Sequence, residues 1–229
     1  MLLICPAICR GFLKMARKLK EYPLITLKPE DLNGEIDLVR VIGRSGPLHI
    51  EIGTGKATFM LNQAKAQPNI NFIGIEMANK YYRYSVDRIG RWNLTNVRLI
   101  RTDAAAFLAN CLPANSVDCF HIYFPDPWPK RRHHKRRLLC PANLEHVIRC
   151  LKTGGTLRIA TDHAEYFEQI HKLITDKKEQ PFGSAQGRLE EIEFLPVCGA
   201  AEGELTGTNY ERKYIKDKRK IFTIAAMKK

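Results

Sequence analysis

The sequence lacks any apolar stretch as long as the roughly 20 residues that a membrane-spanning helix needs. Its residues are 45% hydrophobic and 27% charged, as is usual for a soluble globular protein. Acidic residues are scarce relative to basic ones, with 24 Asp and Glu against 37 Lys and Arg, so the formal net charge is +13. An excess of positive charge on this scale favours a polyanionic partner. We therefore expect a soluble protein with no membrane association and with an anionic polymer as a partner.

The cysteines lack the spacing of a metal site. All seven are scattered along the chain, and no Cys-x-x-Cys pair suggests zinc. The adjacent His133 and His134 have no neighbouring acidic residue that would complete a ligand set. We therefore expect reduced thiols, a cytoplasmic location and no bound metal.

From residue 47 onward, short β-branched runs alternate with longer helical patterns, which is typical of a parallel sheet with crossover helices. We expect an α/β domain over residues 47–229, preceded by a basic and partly flexible extension over residues 1–46. A helix over residues 141–151 should stop at Gly154 and Gly155, and residues 180–184 should form a loop. Seven strands are predicted, at residues 48–52, 71–76, 97–101, 117–123, 156–160, 192–197 and 221–226.

Four successive predicted strands end in an acidic residue or are followed by one: Glu51, Glu76, Asp103 and Asp126. In an open α/β sheet, ligands bind beyond the carboxyl ends of the strands, so these side chains should converge on one crevice. A single acid at such a position is usually a helix cap or a turn former. Four of them in register favour a binding site.

The turn after the first strand carries Gly53 and Gly55, whose missing side chains let a ligand approach the backbone. Glu76 follows at the distance from which an acid reaches ribose hydroxyls, which indicates an adenosine-bearing ligand. A nicotinamide dinucleotide carries a pyrophosphate, which disfavours adjacent carboxylates, whereas S-adenosylmethionine carries a sulfonium and an ammonium. The acidic rim therefore predicts S-adenosylmethionine, with Glu76 on the ribose and Asp103 on the adenine amine.

A proline-rich loop follows the fourth predicted strand and leads into a cationic run. Three prolines should hold Asp126 and Trp128 at the crevice with little freedom left to lose. The run from Lys130 to Arg137 contains six Lys and Arg and is expected to contact phosphates. Trp128 is expected either to stack on a base or to pack against the following helix.

These segments together resemble the tRNA (guanine-N7-)-methyltransferase family, of which a Pro-Asp-Pro-Trp-Pro-Lys segment followed by basic residues is a hallmark. The resemblance extends from about residue 47 to the C-terminus and includes residues 51–55, 74–76, 102–104, 124–138, 160–162 and 208–211. Ala57 departs from it, since many members are expected to have a further glycine there. The resemblance implies a Rossmann-like S-adenosylmethionine-dependent methyltransferase fold, with a mostly parallel seven-stranded sheet and helices on both faces.

The resemblance also implies roles for individual residues and partners. Asp126 is implied to be catalytic. tRNA is the implied substrate, with the guanosine in its variable loop, and the chain is expected to be a monomer or a homodimer. The implied cofactor-binding residues are Glu51, Gly53, Gly55, Glu76, Asp103 and Asp126. The implied substrate-binding residues are Lys130, Asp162, Thr208, Asn209, Tyr210 and Glu211.

Three alternative functions remain open on the sequence. A nicotinamide oxidoreductase would share the fold but would leave the proline-rich loop and the acidic rim without a purpose. A methyltransferase for another target, such as a small molecule or an adenine amino group, would keep the cofactor site. For amino-group chemistry an Asn/Asp-Pro-Pro-Tyr/Phe segment would be expected, which differs from Asp126-Pro127-Trp128-Pro129. A non-catalytic RNA-binding protein would have no need of the complete set of site acids.

Overall fold

The computed structural model describes residues 18–32, 34–179 and 187–229, and its centre is a seven-stranded sheet. The strand order is β3-β2-β1-β4-β5-β7-β6; β7 pairs antiparallel with both β5 and β6, and the other pairs are parallel. The predicted mostly parallel seven-stranded sheet is therefore confirmed. The strands are β1 (Leu48–Ile52), β2 (Asn71–Ile75), β3 (Val97–Ile100), β4 (Val117–Tyr123), β5 (Leu151–Thr161), β6 (Leu189–Ile192) and β7 (Phe222–Lys228).

Helices cover both faces of this sheet, as predicted. Ile73 packs in one core cluster with residues of α4 and α5, whereas its neighbour Phe72 packs in another with residues of α2 and α3. This alternation follows from the two-residue period of a strand. Within the described ranges, no helix is both long and apolar enough to cross a membrane. The helices are α1 (Leu38–Ile42), α2 (Thr58–Ala66), α3 (Asn79–Gly90), α4 (Ala104–Asn110), α5 (Pro141–Cys150), α6 (Ala164–Glu179) and α7 (Asn209–Lys216).

The predicted helix stop at Gly154 and Gly155 is wrong, because α5 ends at Cys150 and β5 begins with the next residue. The two glycines lie inside the strand, where the pairing register with β4 shifts. Gly154 has a φ of +79°, and a Cβ on Gly155 would lie 2.8 Å from the carbonyl oxygen of Lys152. The glycines therefore form an irregularity in the strand that other residues would not fit.

Residues 18–32 and 34–46, the inner part of the predicted extension, pack against the edge of the sheet next to β3. The Leu27 amide donates to the Leu99 carbonyl at 2.9 Å, and the Ile36 amide donates to the Cys111 carbonyl at 2.9 Å. Ile25, Leu27, Ile36 and Ile42 are buried. Residues 1–17 of the predicted extension and the loop predicted at residues 180–184 lie outside the described residues.

The chain between β6 and β7 differs from the prediction. The strand expected at residues 192–197 is instead β6, which ends at Ile192. Within the long connection that follows lies α7, a helix that the charged sequence did not predict. Its first turn is capped by Thr208, whose side chain accepts from the amide of Glu211 at 3.1 Å.

Candidate active site

The carboxyl ends of β3, β2, β1, β4 and β5 lie side by side, because these strands are consecutive in the sheet. Each carries one acidic residue at or shortly after that end. In sheet order these residues are Asp103, Glu76, Glu51, Asp126 and Asp162. The arrangement brings five carboxylates to one edge, where the fold places its crevice.

Glu51 lies in β1 and is almost completely buried, with 4% of its surface exposed. Its Oε2 atom is inaccessible and has no hydrogen-bond partner in the described part of the chain. Burial raises the pKa of this carboxyl well above its usual range, and the negative charge of Glu76 raises it further. An unpartnered buried acid of this kind is costly unless a cation or a donor binds it, so the position suits a cationic group.

Glu76 holds together the two turns that follow β1 and β2. Its Oε2 accepts from the amide of Gly55 and its Oε1 from the amide of Ala78, each at 2.8 Å. Gly53, in the first of these turns, has a φ of +82°, and a Cβ built on it would meet nothing within 4 Å. The turn therefore leaves open space above its backbone, at the place where the sequence predicts a cofactor.

Three residues around the crevice have left-handed backbone without being glycine. Ala57 precedes α2 with a φ of 52°, Phe124 follows β4 with a φ of 53°, and Trp128 has a φ of 43°. Such conformations are strained for residues with a Cβ and occur preferentially at functional sites. At Ala57 the strain explains why a glycine is expected at this position in similar sequences.

Asp103 caps α4, with its Oδ1 accepting from the amide of Ala106 at 2.9 Å. The residue is exposed at the end of β3. This is the ordinary capping role of a strand-end acid. The second carboxylate oxygen is left for another donor.

The proline-rich loop carries Asp126 exposed beside the crevice. The ring of Trp128 meets the ring of His133 edge-on, with 5.8 Å between the centroids, and the Arg136 guanidinium lies 5.0 Å from the Trp128 centroid. Trp128 thus packs against the basic segment that follows it, which was one of its two expected environments. The exposed cations of that segment are Lys130, Arg131, Arg132, Lys135 and Arg136.

Arg137, the last member of the cationic run, is buried, with 2% of its surface exposed. Its guanidinium contacts the carboxylate of Glu165 and the carbonyl of Pro127. The prediction that the whole run from Lys130 to Arg137 contacts phosphates is therefore wrong at this position. The sequence gave no sign of this burial, since Glu165 is 28 residues away in the chain.

Asp162, at the end of β5, is paired within the protein. Nη1 of Arg219 lies 2.9 Å from Oδ2 of Asp162, and 18% of the Asp162 side chain is exposed. Arg219 also lies over the ring of Tyr214, 4.6 Å from its centroid. Burial raises the pKa of the Tyr214 hydroxyl, and the charge of Asp162 raises it further. Asp162 is thus surrounded by groups from α7 and from the residues just after it.

Glu211 lies in the first turn of α7 and is 1% exposed. Its carboxylate accepts from the amides of Leu205, Thr206 and Gly207 at 2.6, 2.9 and 2.7 Å. The Thr206 hydroxyl adds a further bond at 2.9 Å. These contacts give Glu211 the role of organising the loop before α7, and the substrate contact expected of it stays a prediction.

Asn209 and Tyr210, also expected at the substrate, are exposed on α7. Although most of the side chain is exposed, partial desolvation of the Tyr210 hydroxyl raises its pKa, and the charges of Tyr81, Asp126 and Glu76 raise it further. Tyr210 therefore lies near acids from two different strand ends. Its ring packs 6.0 Å from that of Phe124, which joins α7 to the proline-rich loop.

A buried polar group beneath the crevice was missed by the sequence analysis. His121 Nδ1 lies 2.8 Å from the hydroxyl of Tyr123 and its Nε2 lies 3.1 Å from Nδ1 of His49. With Cys119, these histidines place three ligand-type atoms within 4.8 Å of one another. Burial lowers the pKa of His49 to about 4 and raises that of Cys119 to about 12. The signal in the sequence was alternation, since residues 119, 121 and 123 share one face of β4.

Comparison with known proteins gives a consistent set of relatives. A family model described as "Putative methyltransferase" matches residues 45–224. The tRNA (guanine-N(7)-)-methyltransferase of Alkalilimnicola ehrlichii is 32% identical over 207 residues, which cover 89% of this chain and 81% of that protein. The protein of the same name from Nocardia farcinica is 47% identical over 128 residues, or 56% of this chain. The chain spans about half the length of that relative, 48% of it.

Solved structures of methyltransferases share the fold. A SAM-dependent methyltransferase from Aquifex aeolicus has a TM-score of 0.53 at 16% identity, covering 88% of this chain and 94% of that one. The aminoglycoside resistance methyltransferase NpmB1 has a TM-score of 0.55 at 17% identity, covering 84% and 92%. These likenesses confirm the predicted Rossmann-like architecture.

Proposed function

The chain belongs to the tRNA (guanine-N(7)-)-methyltransferase family, and on that premise we propose that it transfers a methyl group from S-adenosylmethionine to N7 of a guanosine in tRNA. We further propose that this guanosine lies in the variable loop of the tRNA and that the protein acts in the cytoplasm. The names of the relatives and the charge of +13 support an RNA substrate.

The observation that carries the proposal is the unpartnered carboxylate of Glu51 at the base of the crevice. It lies beside a glycine turn with open space above Gly53 and within the field of Glu76. Two neighbouring acids without a cation between them disfavour a pyrophosphate and favour the ammonium of an amino acid moiety. Glu51 would hold that ammonium, Glu76 the ribose hydroxyls, and Asp103 the adenine amine.

The task left to the protein is mainly alignment. When bound, S-adenosylmethionine supplies a methyl group on a positively charged sulfur. Guanine N7 exposes a lone pair and carries no proton, so this chain needs no general base and acts by holding the base in line. The base becomes positively charged as it is methylated, and the exposed carboxylate of Asp126 stabilises that charge.

The substrate side must rearrange before Asp162 can bind a base. Oδ2 of Asp162 is paired with Nη1 of Arg219, whereas a guanine offers its N1–H and N2 amine as two donors to one carboxylate. Arg219 therefore gives up this contact when the base enters. Lys130 and the exposed cations after it contact RNA phosphates, which gives affinity without reading the sequence.

The test is methyl transfer to tRNA that lacks modifications. We expect the purified chain to transfer labelled methyl from S-adenosylmethionine, and chemical cleavage at 7-methylguanosine to map the label to the variable loop. Asp126→Ala should lower turnover by roughly 100-fold, because one preorganised charge-stabilising group is removed. Asp126→Asn, which keeps the shape, should lose nearly as much. Turnover at the wild-type rate in both variants would refute the role of Asp126.

A further inference from the structure

We propose that Arg137 is a positioning residue that holds the proline-rich loop in place for catalysis. It is therefore separate in function from the exposed cations that precede it in the run. The inference rests on the proposed function, because Asp126 lies in that loop. The basic run thus has two parts: its exposed cations contact RNA, and the buried Arg137 supports the proline-rich loop.

The contacts of Arg137 connect the loop to α6. Its Nε donates to the carbonyl of Pro127 at 2.8 Å. Nη1 and Nη2 donate to the two carboxylate oxygens of Glu165, each at 3.2 Å, and Nη1 also donates to the side chain of Gln169. The guanidinium lies over the ring of Tyr166, 4.7 Å from its centroid. Four groups from two separate segments thus meet on one planar cation.

Only an arginine can make this set of contacts at once. Its guanidinium presents five donors in a rigid fork, with a flat face that stacks on an aromatic ring. A lysine at the same position would supply a single charged nitrogen and would leave acceptors without a donor. The carboxylate of Glu165 already neutralises the cation, and the pKa of Glu165 is lowered first of all by its hydrogen bond to Arg137. A phosphate would therefore gain little from Arg137.

The bond to Pro127 acts directly on the backbone of the catalytic loop. Pro127 lies between Asp126 and Trp128, and Trp128 has a left-handed φ of 43°. Residues 125–129 lie outside any strand or helix, so no backbone ladder holds this conformation. Strained backbone persists only where its surroundings fix it. Arg137 holds the Pro127 carbonyl in place and so fixes the backbone between Asp126 and Trp128.

The experiment compares Arg137→Gln with Arg132→Gln, the same change at an exposed position of the same run. For Arg132→Gln we expect weaker tRNA binding and a slope of log K against log salt that is smaller by about 1. For Arg137→Gln we expect an unchanged slope and a kcat at saturating tRNA that falls by roughly 100-fold, since a displaced loop loses alignment. Arg137→Lys, which keeps the charge but not the fork, should not restore kcat.

Amide hydrogen exchange gives a readout that does not depend on turnover. Exchange of the Phe124 amide, which donates to the Ala160 carbonyl where the loop begins, should accelerate in Arg137→Gln and stay at the wild-type rate in Arg132→Gln. Glu165→Gln, which weakens the hydrogen bonds between α6 and Arg137, should accelerate exchange in the same loop to a smaller extent. This variant replaces Arg137→Gln if that variant does not fold. A reduced salt slope for Arg137→Gln with unaltered loop exchange would overturn the proposal. Absence of methyl transfer by the wild-type chain would instead count against the proposed function alone.

Discussion

The two halves of the crevice are held by different means. On the proposed cofactor side, Glu51 lies inside a strand and Glu76 is fixed by the backbone amides of two turns. On the proposed substrate side, Asp162 is held by the side chain of Arg219, and the loop with Asp126 is tied by Arg137. Backbone contacts at the end of a sheet are rigid, whereas side-chain contacts can be exchanged. A cofactor of fixed shape suits the first arrangement, and a large RNA that must dock suits the second.

The largest expected effect tests the cofactor half. Glu51→Gln should weaken S-adenosylmethionine binding by about 100-fold, because it removes one partner of a buried charge pair. The same change should stabilise the ligand-free protein by about 1 to 3 kcal/mol at pH 8, since a buried acid without a partner is destabilising when ionised. The pKa of Glu51 is raised by burial, so its cost appears as the pH rises through the folded-state value. Calorimetry and urea unfolding at pH 8 and pH 5 measure both effects.

Glu76→Gln is the matched control for this prediction. Both oxygens of Glu76 accept from backbone amides, so its replacement should destabilise the protein where Glu51→Gln stabilises it. Opposite signs would separate an acid kept for a ligand from an acid that also supports the fold. Destabilisation of the ligand-free protein by Glu51→Gln would mean that the Glu51 carboxylate already has a partner within the protein. Glu51 could then no longer be assigned to the ammonium of the cofactor.

The next effect tests the substrate half. Glu211→Ala removes the acceptor of three backbone amides and should cost about 3 kcal/mol of unfolding free energy. Because these contacts organise the loop before α7, turnover on tRNA should fall sharply while S-adenosylmethionine binding changes by less than about 3-fold. Urea unfolding, calorimetry and methyl transfer report the three quantities separately. An equal loss of cofactor affinity would mean that the two halves are coupled.

The positions in the fold of the acids on the proposed cofactor side could be predicted from the sequence, whereas the contacts on the proposed substrate side could not, for physical reasons. Strand-end acids and glycine turns are local patterns, so the placement of Glu51, Glu76 and Asp103 followed from the predicted strands. The internal role of Arg137 depends on Glu165 and Gln169, which lie on a distant helix. No local pattern distinguishes a buried arginine from its exposed neighbours.

Helix α7 and the buried histidines were missed for related reasons. The sequence of α7 is charged on most of its surface, and its start is set by Thr208 and by the loop around Glu211. Its cap was visible in the sequence as Thr208 followed three residues later by Glu211, a pattern that predicts a helix start. The contact between His49 and His121 required the register of β1 against β4, which only the folded sheet supplies.

The smallest effect concerns the paired histidines His49 and His121, of which His49 is half-buried and His121 is buried. Burial lowers the pKa of His49 to about 4, a shift that the charge of Asp118 opposes and that of Arg158 adds to. The unfolded chain takes up this proton near pH 6.5 while the folded protein resists it, so stability is lost as the pH falls between these values. We expect the free energy of unfolding to drop by about 2 kcal/mol from pH 6.5 to pH 5 on account of His49.

His49→Gln isolates this contribution, because glutamine keeps a polar group near His121 without titrating. Urea unfolding at pH 6.5 and pH 5 should show a smaller decrease in the free energy of unfolding for the variant than for the wild type.

The pH dependence of the His49 contribution is opposite in sign to that of Glu51, which destabilises the protein more as the pH rises, although both side chains lie on β1. The two contributions therefore oppose each other at acidic pH, and S-adenosylmethionine should reduce the loss of stability at higher pH by partnering the acid alone. An equal acid sensitivity in His49→Gln would mean that His49 is protonated in the folded protein, where its contact with His121 would then bring a charge into the buried group.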